Sequence, residues 1–158
     1  QNGAAAMFHK ITLAAACFMT VILAGCNSSG TATANNPQVE DRAKLMKDWR
    51  HANEGMKAMI EDPSRFDAIT FKERADFIAD TNATMWVHFE GEMAQGGHAK
   101  DEIWTDPEGF QTKIEAFTSS INALALAASE AASAADVEAS YGEMASQCGS
   151  CHKAYKKK

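Results

Sequence analysis

Proline is scarce in this chain of 158 residues: three in all, at positions 37, 63 and 107. A helix interior tolerates none, so the sequence can run as a few long helices with proline confined to their starts and joints. Strand-like alternation of apolar and polar residues is missing, which excludes a sheet protein. Cysteine is limited to Cys17, Cys26, Cys148 and Cys151, and none has an obvious disulfide partner. Basic charge is in deficit, with 15 Lys and Arg against 21 Asp and Glu and a net charge of −6. That balance argues against nucleic-acid binding, which calls for a basic face. No apolar run reaches the roughly 20 residues that a membrane-spanning helix needs.

Alanine is abundant, hydrophobic residues make up 46% of the chain and methionines number eight. This is enough for one modest core in a single helical domain, with Met filling irregular gaps.

The first 25 residues read as a leader. Residues 1–6 precede Met7, which reads as the start, and are set aside from the fold. His9-Lys10 leads into the apolar run Ile11–Ala24, the length of a secretory h-region. Leu23-Ala24-Gly25-Cys26 resembles the lipobox of bacterial lipoproteins, in which cleavage leaves an acylated, N-terminal cysteine. Cys26 is then a lipid anchor and Cys17 is discarded. Asn27, in place of Asp, favours sorting to the outer membrane. Residues 26–37 form anchor and tether, and the ten residues Asn27–Asn36 reach roughly 15–20 Å as a flexible chain. The folded domain is expected over 38–158.

Four amphipathic helices fit that domain. The first, 38–61, carries Leu45, Trp49, Ala52, Met56 and Met59 on one stripe, with Gly55 a weak point. The second, 70–93, carries Phe71, Ala75, Ile78, Met85 and Phe89, interrupted by Asn82. The longest connection, 94–105, follows. Asp106-Pro107-Glu108 starts the third helix, with Phe110, Ile114, Phe117, Ile121, Leu124 and Ala128 on its stripe. Asp136 is expected to cap the fourth, which aligns Val137, Tyr141, Met144, Cys148, Cys151 and Tyr155. Its basic tail, Lys156–Lys158, suits a helix C-terminus. Helices of this length with short joints predict an all-α, antiparallel up-down-up-down four-helix bundle.

The chemistry lies in the fourth helix. Cys148-Gly149-Ser150-Cys151-His152 is the CxxCH pattern of c-type haem attachment. The two thiols lie one helical turn apart, so both reach one edge of a porphyrin, and the adjacent histidine reaches the iron. The bland alternatives are chance, or half of a zinc or thioredoxin-like site. Export through the leader matches the needs of covalent haem attachment. The expectation is a bundle with one covalently bound haem c held by Cys148 and Cys151, with His152 as an axial ligand.

Bundle topology then ranks residues for the opposite face of the iron. His152 lies about 8 Å from the end of its helix, and Met46 about 12 Å into the first, nearly level. Met56, about 27 Å in, and His51, about 20 Å in, are poorly placed. Met46 is the leading candidate for sixth ligand or lid, His88 is a rival, and no protein sixth ligand is the third possibility. His/Met ligation gives low-spin iron suited to electron transfer, whereas a vacant site under an apolar lid binds small gases.

At the level of whole segments the sequence resembles the cytochrome c′ family from about Val39 to Lys158. The matching pieces are Asp41–Lys47, Pro63–Asp67, Ile103–Phe110 and Cys148–Lys156. The resemblance implies a four-helix haem protein of the bacterial periplasm, with Arg42 near the haem propionates and Lys156 near the haem edge. A solvated charge is the plain alternative for Arg42. Family members divide into low-spin electron carriers with methionine at the position of Met46 and high-spin binders of nitric oxide or carbon monoxide. The expected function is a membrane-tethered one-electron carrier without substrate chemistry, serving redox partner proteins. The alternative is a five-coordinate gas binder. A homodimer is a further expectation, since many members of the family dimerise.

Overall fold

The structure, a computed structural model, describes residues 36–158. The leader, Cys26 and all but the last residues of the tether lie outside the described residues. Five helices follow in order: α1 (Pro37–Glu61), α2 (Ala68–Val87), α3 (Glu102–Thr105), α4 (Pro107–Glu130) and α5 (Glu138–Tyr155). The long ones, α1, α2, α4 and α5, form the expected bundle, and α3 is a single turn leading into α4.

The starts of α1, α2 and α4 have a local cause. Asn36 accepts from the amides of Gln38 and Val39 ahead of Pro37. Asp67 accepts from Thr70 at 2.7 Å. Asp106 accepts from Gly109 at 3.1 Å, with Pro107 in the first turn, as the sequence predicts. These caps satisfy amides that the first helical turn leaves without partners.

The expected stripes form one core. Trp49, Met56, Phe71, Ile78, Met85, Phe117, Ile121, Leu124 and Met144 are buried together. Asn82, the polar interruption, is buried too and is satisfied. It accepts from Trp86 Nε1 at 2.9 Å and donates to Thr118 Oγ1 at 2.8 Å, tying α2 to α4. Gly55 has a packing reason: the Arg74 guanidinium, which donates to the His51 carbonyl, fills the space that a Cβ would need.

Two boundaries differ from expectation. The second helix ends at Val87 rather than 93. Beyond it, side chains take the carbonyls that a continuing helix would use: Arg42 takes that of His88, and Trp104 Nε1 that of Phe89. Gly91, at φ 79°, then turns the chain. Asp136 does not cap the fourth helix, which starts at Glu138. Its carboxylate accepts from the amides of Ala132 and Ser133 and closes the short turn before α5.

Neighbouring helices α1 and α2, α2 and α4, and α4 and α5 pack closely along their backbones. The α1 and α5 backbones stay farther apart. They meet through side chains such as Tyr141, whose hydroxyl donates to Asn53 Oδ1 at 3.1 Å.

Candidate haem site

The end of α5 lies among the elements that the topology predicts. Tyr155 packs edge-on against Phe110 at the start of α4, with centroids 5.2 Å apart. Lys113 donates to Ser150 Oγ at 2.7 Å. The α2–α3 connector covers the last turn of α5, where the Lys100 amide donates to the Tyr155 carbonyl and the Lys157 amide to that of His98.

Cys148 and Cys151, both half-buried, face different apolar groups. Cys148 packs on the main core, which Leu45 and Met46 also border. Cys151 packs with Tyr155 on a smaller cluster of Ala99, Ile103 and Phe110. Trp86 and Phe89 belong to both. The two thiols therefore flank a seam walled by aromatic and aliphatic side chains.

Burial pushes the Cys148 thiol up to about 11, aided by Cys151. Burial also raises Cys151, opposed by the Lys113 charge. A redox-active CxxC needs the reverse, a stabilised thiolate. Among the described residues no group of three His, Cys, Asp or Glu side chains could hold a metal ion, so the pair lacks the companions of a zinc site. The site fits a haem instead: two thiols one turn apart, a histidine beside them, and apolar walls.

The other candidates fall out as follows. Met46 is half-buried and packs on the core between α1 and its neighbours. Met56 is fully buried in the middle of that core. His51 lines an outer groove of α1 and α2 with Asp48, Glu73 and Arg74. His88 is half-buried and terminates α2. His152 is exposed, and its pKa is lowered by partial desolvation and by the Lys156 charge. Lys156 is exposed, and its amide donates to the His152 carbonyl at 3.1 Å.

Arg42 is not a solvated charge. It is 5% exposed and has no acidic partner among the described residues. Nη1 donates to the carbonyls of His88, at 3.1 Å, and Ala94, and Nη2 to that of Gly96 at 2.6 Å. The guanidinium also lies 4.8 Å from the Phe89 ring centroid and 5.9 Å from that of Trp104. Burial lowers its pKa.

Two residues at this end escaped the sequence reading. Trp86 meets Trp49, Phe89, Phe110 and Phe117 at 5.9–6.1 Å between centroids. Its signal was present, four residues after Asn82 on the same face. Lys100 donates through Nζ to the carbonyls of Lys153 and Ala154, at 3.2 and 2.9 Å. Nothing local in the sequence marks it, because its partners lie more than fifty residues away.

Comparisons with known proteins agree on one family. A family model described as Cytochrome C′ matches residues 37–156. The cytochrome c′ of Alcaligenes xylosoxydans xylosoxydans is 32% identical over 103 residues, 65% of this chain and 80% of the relative. That of Rhodopseudomonas palustris is 25% identical over 132 residues, 82% of this chain and 88% of the relative. The solved cytochrome c prime from Shewanella frigidimarina superimposes with a TM-score of 0.71 at 28% identity, covering 77% of this chain and 95% of that one. A leucine-to-alanine variant of the Alcaligenes xylosoxidans protein, solved as a nitric oxide complex, gives 0.71 and 28%, covering 77% and 94%.

Proposed function

This chain belongs to the cytochrome c′ family, whose members carry one covalently attached haem c, and from that premise we propose that it binds a small neutral gas such as nitric oxide or carbon monoxide. Cys148 and Cys151 would hold the haem covalently, His152 would ligate its iron, and Leu45 and Met46 would serve as an apolar lid. When bound, the haem would supply an iron able to take a diatomic ligand. The protein side chains orient the ring, exclude water and limit the size of what enters.

The observation that carries this reading is the apolar character of the seam. Leu45, Met46, Trp86 and Phe89 pack on the same core as Cys148, and the buried Arg42 guanidinium is engaged by backbone carbonyls. Apolar walls of this kind suit a small neutral ligand. A role without substrate chemistry belongs to the same proposal. The nitric oxide complex of the Alcaligenes relative supports the same choice. The electron-carrier reading, placed first on sequence, therefore becomes second. One observation keeps it in play: the half-buried Met46 packs on the same core as Cys148, and its thioether is a chemically competent iron ligand.

Arg42 retains two N–H donors beyond the three in use, and these are what a haem propionate would meet. Lys156 would lie near the exposed haem edge. Cytochromes c′ are periplasmic proteins of bacteria. For this chain the leader 1–25, a lipidated Cys26 and the tether over 26–37 would hold the haem domain 38–158 at a membrane face, the outer membrane favoured by Asn27. Redox partner proteins and a homodimer belong to the same proposal.

The absorption spectrum of the purified holoprotein, ferric and ferrous, with and without carbon monoxide, tests the function. A high-spin spectrum with a ferrous form that shifts on carbon monoxide is expected. A low-spin spectrum that carbon monoxide leaves unchanged would overturn gas binding and restore Met46 as sixth ligand of an electron carrier.

A further inference from the structure

The last four carbonyls of a helix have no partners within it. In α5 these belong to His152, Lys153, Ala154 and Tyr155, and all four are satisfied. The His152 carbonyl accepts from the Lys156 amide at 3.1 Å, as in a normal final turn. The other three accept from one residue. The Lys100 amide donates to Tyr155 at 2.9 Å, and Lys100 Nζ donates to Lys153 at 3.2 Å and to Ala154 at 2.9 Å. The Lys157 amide closes the arrangement on the His98 carbonyl at 2.8 Å.

The basic tail does not perform this role. Lys156, Lys157 and Lys158 are exposed, and Lys157 makes only a 3.8 Å ion pair with Asp101. The cation at the negative end of the α5 dipole comes from the connector. That connector is itself fixed, with Arg42 gripping the carbonyls of His88, Ala94 and Gly96 just upstream. Gly97, at φ 58°, turns the chain where a Cβ would strike Val39. Lys100 is thus presented from a rigid base.

We propose that Lys100 is a positioning residue for the haem helix: its amide and ammonium together hold the final turn of α5, and with it the imidazole of His152. This rests on His152 being the axial ligand. Without the ammonium, the carbonyls of Lys153 and Ala154 face water, the turn frays, and the direction from which the imidazole meets the iron becomes variable. Lys100 reaches α5 through backbone carbonyls, so its effect runs through the geometry of that turn.

The experiment compares holoprotein of the full chain with Lys100→Met and Lys100→Arg. Amide hydrogen exchange of residues 152–158 is followed by mass spectrometry, and the iron–histidine vibration of the ferrous protein by resonance Raman. Lys100→Met is expected to speed exchange of this segment by about tenfold or more, since charge-assisted bonds are lost. It should also broaden or shift the iron–histidine band. Lys100→Arg, which keeps the cation, should return both toward the wild type. Exchange and band unchanged in haem-loaded Lys100→Met would overturn the proposal, as would faster exchange spread evenly over the whole bundle. Wild-type protein that gains no covalent haem in a maturation-competent host would overturn the haem reading alone. The exchange comparison would still report whether Lys100 holds the turn.

Discussion

Arg42 in α1 and Gly96 in the α2–α3 connector are joined by a 2.6 Å hydrogen bond from a guanidinium that is almost wholly buried. Two more carbonyls, of His88 and Ala94, share the same side chain. A charge so placed is stabilised by dipoles rather than by a counter-ion, and its removal leaves acceptors buried without donors. Arg42→Gln should lower unfolding stability by about 3 kcal/mol or more, read as a lower urea midpoint at unchanged slope. Arg42→Lys, which keeps the charge and loses the fork, should fall between the two. Equal stability of all three proteins would contradict the buried clamp.

Asn82 makes a second polar contact inside the bundle, accepting from Trp86 and donating to Thr118. Asn82→Ala strands the Trp86 indole N–H and opens a small void. A loss of about 2 kcal/mol is expected, or a fall in Tm of about 5–10 °C. Thermal unfolding followed by tryptophan fluorescence measures it. Thr118→Val should cost less, because Trp86 keeps its acceptor.

These two contacts mark the limit of what the sequence makes legible. Apolar stripes of α1, α2, α4 and α5 are readable because burial follows helical period, and the CxxCH pattern because its spacing is local. Asp106-Pro107 starts α4 where the sequence places it, since the cap and its target amide are three residues apart. Arg42 looks like any charge on an amphipathic helix, and its partners lie 46–54 residues away. The early end of α2 has the same origin: Arg42 and Trp104 compete for its carbonyls from outside the segment. Asp136 is displaced from its expected role because its carboxylate is engaged by the amides of Ala132 and Ser133.

The capping carboxylates give the fold a pH dependence at its acid end. Hydrogen bonds from the Thr70 amide and hydroxyl hold Asp67 below the usual carboxylate value. Those from Ser133 and Ala132 do the same for Asp136. A lowered folded pKa means stability that is fully present above the unfolded value of about 4 and is lost as pH falls through the folded value. Wild type and the double variant Asp67→Ala, Asp136→Ala should therefore differ by a constant amount above about pH 5 and converge as pH falls below the usual carboxylate range. Denaturant titrations across that range check it. A difference that grows on acidification would reverse the sign and rule out the caps as its source.

The two thiols have separate surroundings, so their loss should not be equivalent in stability. Cys148 packs on the main core and touches the Met144 sulfur at 3.6 Å, whereas Cys151 belongs to the smaller cluster with Tyr155. Cys148→Ala should leave haem attached through one bond and disturb the apoprotein more than Cys151→Ala does. The double variant should retain helical circular dichroism and lose all haem that survives denaturing electrophoresis. Covalent haem persisting in the double variant would remove these cysteines from the site.

Met46 offers the sharpest test of how the seam admits a ligand. It is half-buried and packs on the core, so it contributes both to the wall and to stability. Met46→Ala removes three side-chain heavy atoms beside the seam. The cost in stability should be about 1–3 kcal/mol, below that of a fully buried methionine. If Met46 is a lid, the shortened side chain lowers the steric barrier: carbon monoxide association with the ferrous holoprotein, followed by flash photolysis, should quicken by about tenfold, a barrier change near 1.4 kcal/mol. Met46→Leu, which keeps the volume without the sulfur, should bind at close to the wild-type rate, because a lid acts through shape. If the sulfur were instead a ligand, Met46→Leu would create the open position as fully as Met46→Ala does, and both would turn a low-spin spectrum high-spin. The leucine variant separates the two roles, since it removes the donor atom and leaves the wall standing.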